Sequence, residues 1–287
     1  MKLKTIYFIL LMVLVNGCEE IIDLDLPHEN RRLIVDAILT DKDEPCYVRL
    51  SYTQKYSYAC RQDPNAVIPG ALVIIHEVSG VSDTLTEVSR GIYESHPEIL
   101  KGSIGNSYQL EIKTEEGIHY TSDEETMLDV PDIDSMYFER DPDDISPDNP
   151  DYYRFNVYIN WKDPEETRNF YVRKFSYFWS GIWHDNILWN WVFNDKYFDG
   201  NYLTRDLITS DYGGVGFKIK VEQFSLTKSA YDFWLLVHKQ TIRADNPRVN
   251  SLTPLVGNVY NINNPDDYAL GYFQVSATSS IELWIDE

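Results

Sequence analysis

The chain has 287 residues, 46 acidic against 25 basic side chains, and a formal net charge of −21. At about 150 residues per domain, that length predicts two domains, each able to bury a core without help from a metal or disulfide. A hydrophobic share of 43% and a charged share of 25% exclude long disorder, and the negative balance excludes general nucleic-acid binding and electrostatic attachment to an anionic membrane.

The first predicted element is an export signal. Lys2 and Lys4 precede an apolar run from Ile6 to Val15. That run is far shorter than the roughly 20 residues a spanning helix needs, so it reads as the hydrophobic region of a signal peptide. Val15-Asn16-Gly17-Cys18 then resembles a bacterial lipobox, although Val15 stands where leucine is usual. Residues 1–17 are expected to be removed, and Cys18 to become an acylated N-terminus carrying palmitate. The alternative is an ordinary signal peptide with an incidental cysteine. Residues 18–30 form the lipidated tether, and Glu19, Glu20, Asp23 and Asp25 resemble the surface-export signals of lipoproteins from the Bacteroidota. Loss of residues 1–17 removes two lysines and no acid, which moves the formal charge from −21 to −23. Acyl chains hold so acidic a body at a membrane where its charge would not.

Residues 31–130 are predicted to be a β-sandwich. Leu33, Val35, Ala37 and Leu39 alternate with their neighbours, as do Val48, Leu50 and Tyr52, which is the period of an antiparallel strand. Pro69-Gly70 turns the chain into Ala71–Ile75, short strands surround Gly91, and a hairpin turns at Glu115-Glu116-Gly117. About seven short strands at this spacing describe an immunoglobulin-like sandwich. Cys46 and Cys60 are the even pair left in an exported chain once Cys18 is acylated, and make a candidate disulfide. The bridge would close the loop between them for about 3 kcal/mol; two buried thiols are the alternative.

Residues 131–287 are predicted to be a second β domain. Its linker region includes Asp141 to Asp151, with aspartates at 141, 143, 144, 148 and 151 and prolines at 142, 147 and 150, a composition too polar and too kinked to pack. It reads as a solvated surface loop, with weak calcium binding by Asp141, Asp143, Asp144 and Asp148 as the alternative. Strands follow around Phe155, Val172 and Ile219. Near residues 226–242 the spacing of Tyr231, Trp234, Leu235, His238 and Ile242 changes to three and four, predicting an amphipathic helix capped by Ser225 or Thr227. Gly257–Ile262, Leu270–Ala277 and Ile281–Ile285 return to strand.

Catalytic signatures are missing from the sequence. It contains no Gly-x-Ser-x-Gly elbow, no His-Glu-x-x-His helix and no phosphate loop; Gly213-Gly214-Val215-Gly216 reads as a turn or bulge. No cofactor is expected. The unusual segment is Trp179–Phe198, which holds Trp179, Trp183, Trp189 and Trp191, four of the seven tryptophans. Turned inward they are core; exposed, they stack on sugars or on a partner's apolar patch.

Several segments together resemble a known family. They are Asp23-Leu24-Asp25-Leu26-Pro27 with Arg32–Ala37, Pro69–Val73, Gly105–Leu110 with Gly117–Thr121, Ser225-Leu226-Thr227 with Phe233-Trp234, Gly257–Ile262, and Leu270–Ala277. Their order is similar to the Bacteroidota lipoproteins grouped as domain of unknown function 4249, over nearly the whole mature chain. The Gly91-Ile92-Tyr93 and Gly105–Leu110 spacings also resemble transthyretin-like sandwiches. The family resemblance implies an outer-membrane lipoprotein, facing the cell exterior, that accompanies a TonB-dependent transporter, and it supplies neither a ligand nor catalytic residues. The expected role is therefore a non-enzymatic accessory in nutrient uptake. A surface hydrolase for glycans or peptides and a structural or adhesive module are the alternatives.

Overall fold

The computed structural model describes residues 31–54, 66–185, 191–243, 253–264 and 266–286. Cys18, the tether, Cys60 and Trp189 lie outside the described residues. Nine strands come first: β1 (Leu33–Thr40), β2 (Tyr47–Tyr52), β3 (Leu72–Glu77), β4 (Ser82–Thr84), β5 (Thr86–Ser89), β6 (Ile92–Glu94), β7 (Ser107–Lys113), β8 (His119–Ser122) and β9 (Glu125–Thr126). Seven follow: β10 (Ile133–Ile145), β11 (Tyr153–Lys162), β12 (Phe170–Trp179), β13 (Ile182–Asp185), β14 (Trp191–Asn194), β15 (Tyr202–Gly213) and β16 (Phe217–Ser225). Helix α1 (Lys228–Arg243) leads to β17 (Val256–Asn261), β18 (Tyr268–Ser276) and β19 (Thr278–Ile285). The described residues are mainly β with one helix, as the periodicities predict.

The first sheet runs β4-β3-β7-β8-β17-β18-β1-β2-β6-β5, with β9 on β7. Its two ends, β4 and β5, are halves of one run interrupted at Leu85, whose N–H donates to the Val73 carbonyl (2.9 Å). One short run thus pairs with both ends, so the sheet wraps around its core and leaves few free edges. Alternation sends Leu33, Val35, Ala37 and Leu39 of β1 inward, against Leu50, Ile75, Leu110, Ile112 and Phe273.

This sandwich is not completed by residues 31–130. β17 and β18, expected within the second domain, lie between β8 and β1. β18 pairs parallel with β1 from Ile34↔Leu270 to Thr40↔Ser276. The reason is that β1 has two hydrogen-bonding edges and its hairpin with β2 satisfies only one, while alternation reports a strand's faces and not its neighbours. Glycine makes the close approach feasible. Gly271 has φ +88°, and a Cβ there would collide with the Val35 carbonyl. Arg31–Glu287 consequently forms one compact unit.

In the second sandwich, the sheet β10-β11-β15 faces the sheet β13-β12-β16-β19, with β14 also on β12. Met136, Phe155, Val157, Ile159, Trp161, Tyr171 and Val221 fill the space between them. β10 continues to Ile145 with a register shift after Asp141, so the expected surface loop begins as strand; Pro142 is tolerated because β10 is an edge strand. Gly213–Gly216 forms the β15–β16 turn, where the Gly216 N–H donates to the Ile285 carbonyl (2.8 Å).

The two sandwiches share a seam. β18 passes into β19 through Ala277, exchanging one sheet for the other. Ser225 locks this crossing: its hydroxyl donates to the Leu128 carbonyl (2.6 Å) and accepts from the Ala277 N–H (3.1 Å). Thr227, not Ser225, caps α1, accepting from the Ala230 N–H (3.2 Å). Buried Glu125 accepts from Thr227 (2.7 Å), Ser229 (3.2 Å), Asn258 (3.3 Å) and the Tyr272 hydroxyl. Burial, with the Glu125 charge alongside, pushes the Tyr272 phenol far above its ordinary pKa.

Candidate binding surface

Strand alternation divides β12 sharply. Tyr171 and Arg173 point into the second sandwich and are buried, while Val172, Lys174 and Phe178 have the opposite phase. α1 covers one end of this outer face, packing Ala230 and Phe233 on Val172 and Phe224. Among the described residues, α1 does not reach the other end. There the register aligns Trp183 of β13 with Phe178 of β12, Phe178 with Lys218 of β16, and Lys218 with Trp284 of β19. One row of side chains therefore crosses four strands.

The geometry of that row is aromatic and cationic. Phe178 and Trp183 pack with centroids 5.3 Å apart. The Lys218 ammonium sits 5.8 Å from the Trp183 ring and 5.7 Å from the Trp284 ring, so the two indoles lie within 11.5 Å of each other. Lys220 is 5.4 Å from Trp183. Trp183 is 37% exposed and Trp284 50% exposed, unusual for a residue whose large ring is normally mostly covered. Behind the rings the charges are ordered. Lys218 pairs with Glu282, and Glu222 accepts from Lys42 (2.6 Å) and pairs with Lys220 (3.1 Å). Burial raises the Glu222 pKa, but the two lysines outweigh it and hold the carboxyl below its usual range. The result is an ordered row of rings, with its lysines held in ion pairs, whose exposed indoles are suited to stacking.

Of the tryptophans singled out by sequence, Trp183 joins this row. Trp191 does not. It pairs with Arg173 on the inward phase, is 45% exposed at the sandwich margin, and lines a small cavity with Arg173, Lys174, Phe175 and Ile208. Trp179 is the last residue of β12, paired with Ile182. Trp284 escaped sequence reasoning, although it carries a signal: in β19 the apolar phase is Ile281, Leu283 and Ile285, and Trp284 stands on the polar phase with Ser280 and Glu282.

The acids behave differently from the calcium alternative. Asp144 accepts from Arg154 (2.5 Å) and the Tyr212 hydroxyl (2.7 Å), which together hold its carboxyl below the usual range. Asp141 accepts from the Asp143 N–H (3.0 Å), and the Asp148 N–H donates to Ser146 (3.3 Å). Asp141, Asp143, Asp144 and Asp148 thus serve turn geometry and one ion pair, and do not converge as a metal-holding group. Among the described residues, the carboxylates that do converge are Asp163, Asp195 and Asp199, brought together by the β11–β12 connection and the turn after β14. Asp163 accepts from Tyr171 (2.8 Å) and the Gly200 N–H (3.2 Å); Asp195 accepts from Arg168 (3.0 Å) and the Asn169 N–H (2.6 Å). Burial raises the Asp163 pKa. These bonds tie two loops together.

Three further groups emerge only in three dimensions. Buried Arg173 donates to Gln223 (2.6 and 3.1 Å) and Asp206 (2.9 Å), 4.7 Å from the Phe193 ring. Desolvation pushes its guanidinium below the ordinary arginine pKa. His76 and His119, 43 residues apart in sequence, flank one carboxylate, Glu111, at 2.9 and 2.8 Å. Cys46 is a free, buried thiol, and burial pushes its pKa upward; Cys60 lies outside the described residues.

No curated protein matches the chain. A solved structure described as a tetra-tandem repeat in the extending region of a large adhesion protein matches at 13% identity and a TM-score of 0.21, over 90% of this chain and 50% of that one. This chain thus spans half the length of that relative. Residues 19–282 match a family model over more than nine-tenths of the chain, and the protein belongs to the family described as Domain of unknown function (DUF4249).

Proposed function

We propose that the protein is a non-enzymatic, lipid-anchored binding protein of the outer membrane, facing the exterior, that serves a TonB-dependent transporter in nutrient uptake. The observation that carries the binding role is the exposure of Trp183 and Trp284 in the Trp183–Phe178–Lys218–Trp284 row. An exposed, ordered aromatic row is costly to leave in water unless something covers it. The anchoring role rests on the lipobox at Cys18 and on the family resemblance.

Affinity capture of the native protein from outer membranes tests the reading. Co-purification of a large barrel transporter is expected, and its loss in Trp183→Ala/Trp284→Ala. Repeated recovery of the protein alone, together with turnover of a glycan or peptide panel, would overturn it. Cys18→Ala should release the protein from membranes; continued attachment would refute the anchor.

A further inference from the structure

We infer that the first sandwich carries a site for a divalent transition-metal ion of the zinc class, built from His76, Glu111 and His119 and independent of the aromatic row. The strand order makes it. β7 lies between β3 and β8, and its register sets Glu111 opposite Ile74 and Thr121, with His76 opposite Gln109 and His119 opposite Lys113. Each histidine thus stands two places from Glu111 along a neighbouring strand, on the same face, at the diagonal spacing that long side chains span. The His76 Nε2 lies 2.9 Å from one carboxylate oxygen and the His119 Nε2 lies 2.8 Å from the other.

Two imidazoles and a carboxylate are donors that zinc, copper and nickel accept, whereas calcium and magnesium take a shell of oxygens. Zinc bonds imidazole nitrogen at about 2.0 Å and carboxylate oxygen at about 2.1 Å. An ion on the bisector of the Glu111 carboxylate touches both oxygens, with one imidazole beside each. The two rings face separate oxygens here and have to turn toward that point. With His76 32% and His119 31% exposed, they have room to do so. Zinc takes the neutral imidazole, so each Nε2 gives up its proton on binding. In His76 the other ring nitrogen is already held, because Nδ1 lies 2.8 Å from the hydroxyl of Ser82, its partner on β4. That hydroxyl accepts when Nδ1 carries the remaining proton, and so orients the ring as the outer partners of metal-bound histidines do. Three protein side chains leave a further position open to water or to a donor from another molecule.

The probe is the zinc ion alone, titrated by calorimetry into the purified protein free of any histidine tag, with cobalt as a spectroscopic substitute. One ion is expected per chain, and excess calcium should not displace it. His76→Gln and His119→Gln should each weaken binding about a hundredfold and Ser82→Ala about tenfold, while all three variants melt close to wild type in the absence of metal. Bound cobalt should show the visible absorption of a low-coordinate site with nitrogen donors, and His76→Gln/His119→Gln should lose it. Zinc affinity unchanged in that double variant would place the ion elsewhere on an acidic surface and overturn the inference. Displacement by calcium would mark an oxygen-only site and overturn it as well. So would failure of the wild type to bind zinc, which would leave His76 and His119 as ordinary cross-strand partners of Glu111.

Discussion

The first sandwich closes its sheet and buries its largest aromatics in the core; the second, among the described residues, has α1 over one end of the outer face of its larger sheet and two exposed tryptophans at the other. Tyr93, Tyr108 and Phe273 are buried in the first core, and its sheet ends are joined by the β4–β5 run. In the second, α1 covers Val172 and Phe224 but stops short of Phe178 and Trp284. A closed sheet spends its apolar residues on stability. An open face carrying aromatics on its polar phase is available for contact, so the same strand chemistry serves two ends according to what lies over it.

Substitutions can break or sharpen this contrast. The largest effect is expected at the closing strand of the first sandwich. Gly271→Ala would force a side chain into a left-handed backbone and against the Val35 carbonyl, and should cost about 4 kcal/mol from strain and overpacking together. Urea unfolding would read it, and a loss under 1 kcal/mol would show that β18 is dispensable to the first sheet. Arg173→Met comes next. It leaves Asp206 without its buried partner and should cost roughly 3 kcal/mol, while leaving ligand capture at Trp183 and Trp284 intact if the inward and outward phases of β12 are independent.

Smaller effects are expected outside the cores. Trp183→Ala with Trp284→Ala should cost under about 1 kcal/mol, as exposed positions do, while abolishing capture; a stability loss of core size would mean that the row is structural. The smallest effect belongs to Glu111 on the first sandwich. His76 and His119 lower its folded pKa, so its contribution is present at neutral pH and disappears as pH falls through the ordinary carboxylate range toward the folded value. Glu111→Gln should therefore narrow the gap in melting temperature to wild type as pH drops from 7 to 3. A gap that is constant across that range would remove the linkage.

Much of the architecture was legible because alternation is a local signal. β1, β2, β7, β11, β12 and β16 follow from period-two patterns, and α1 from its change to three and four, with Thr227 as the cap. β10 was misread beyond Asp141, because an edge strand tolerates proline and acids that a central strand would reject. Trp183 was legible from the clustering of tryptophans, and Trp284 was not, because its signal is one ring on the wrong phase of an otherwise ordinary strand.

What the sequence determined by itself is set by short-range physics: the β class, helix α1, the inward phase of the regular strands, and the family to which the segments belong. Tertiary structure alone decided which strands are neighbours. It placed β18 beside β1, brought Lys218 between Trp183 and Trp284, and gathered His76, His119 and Glu111, because lateral hydrogen bonds join residues whatever their separation along the chain.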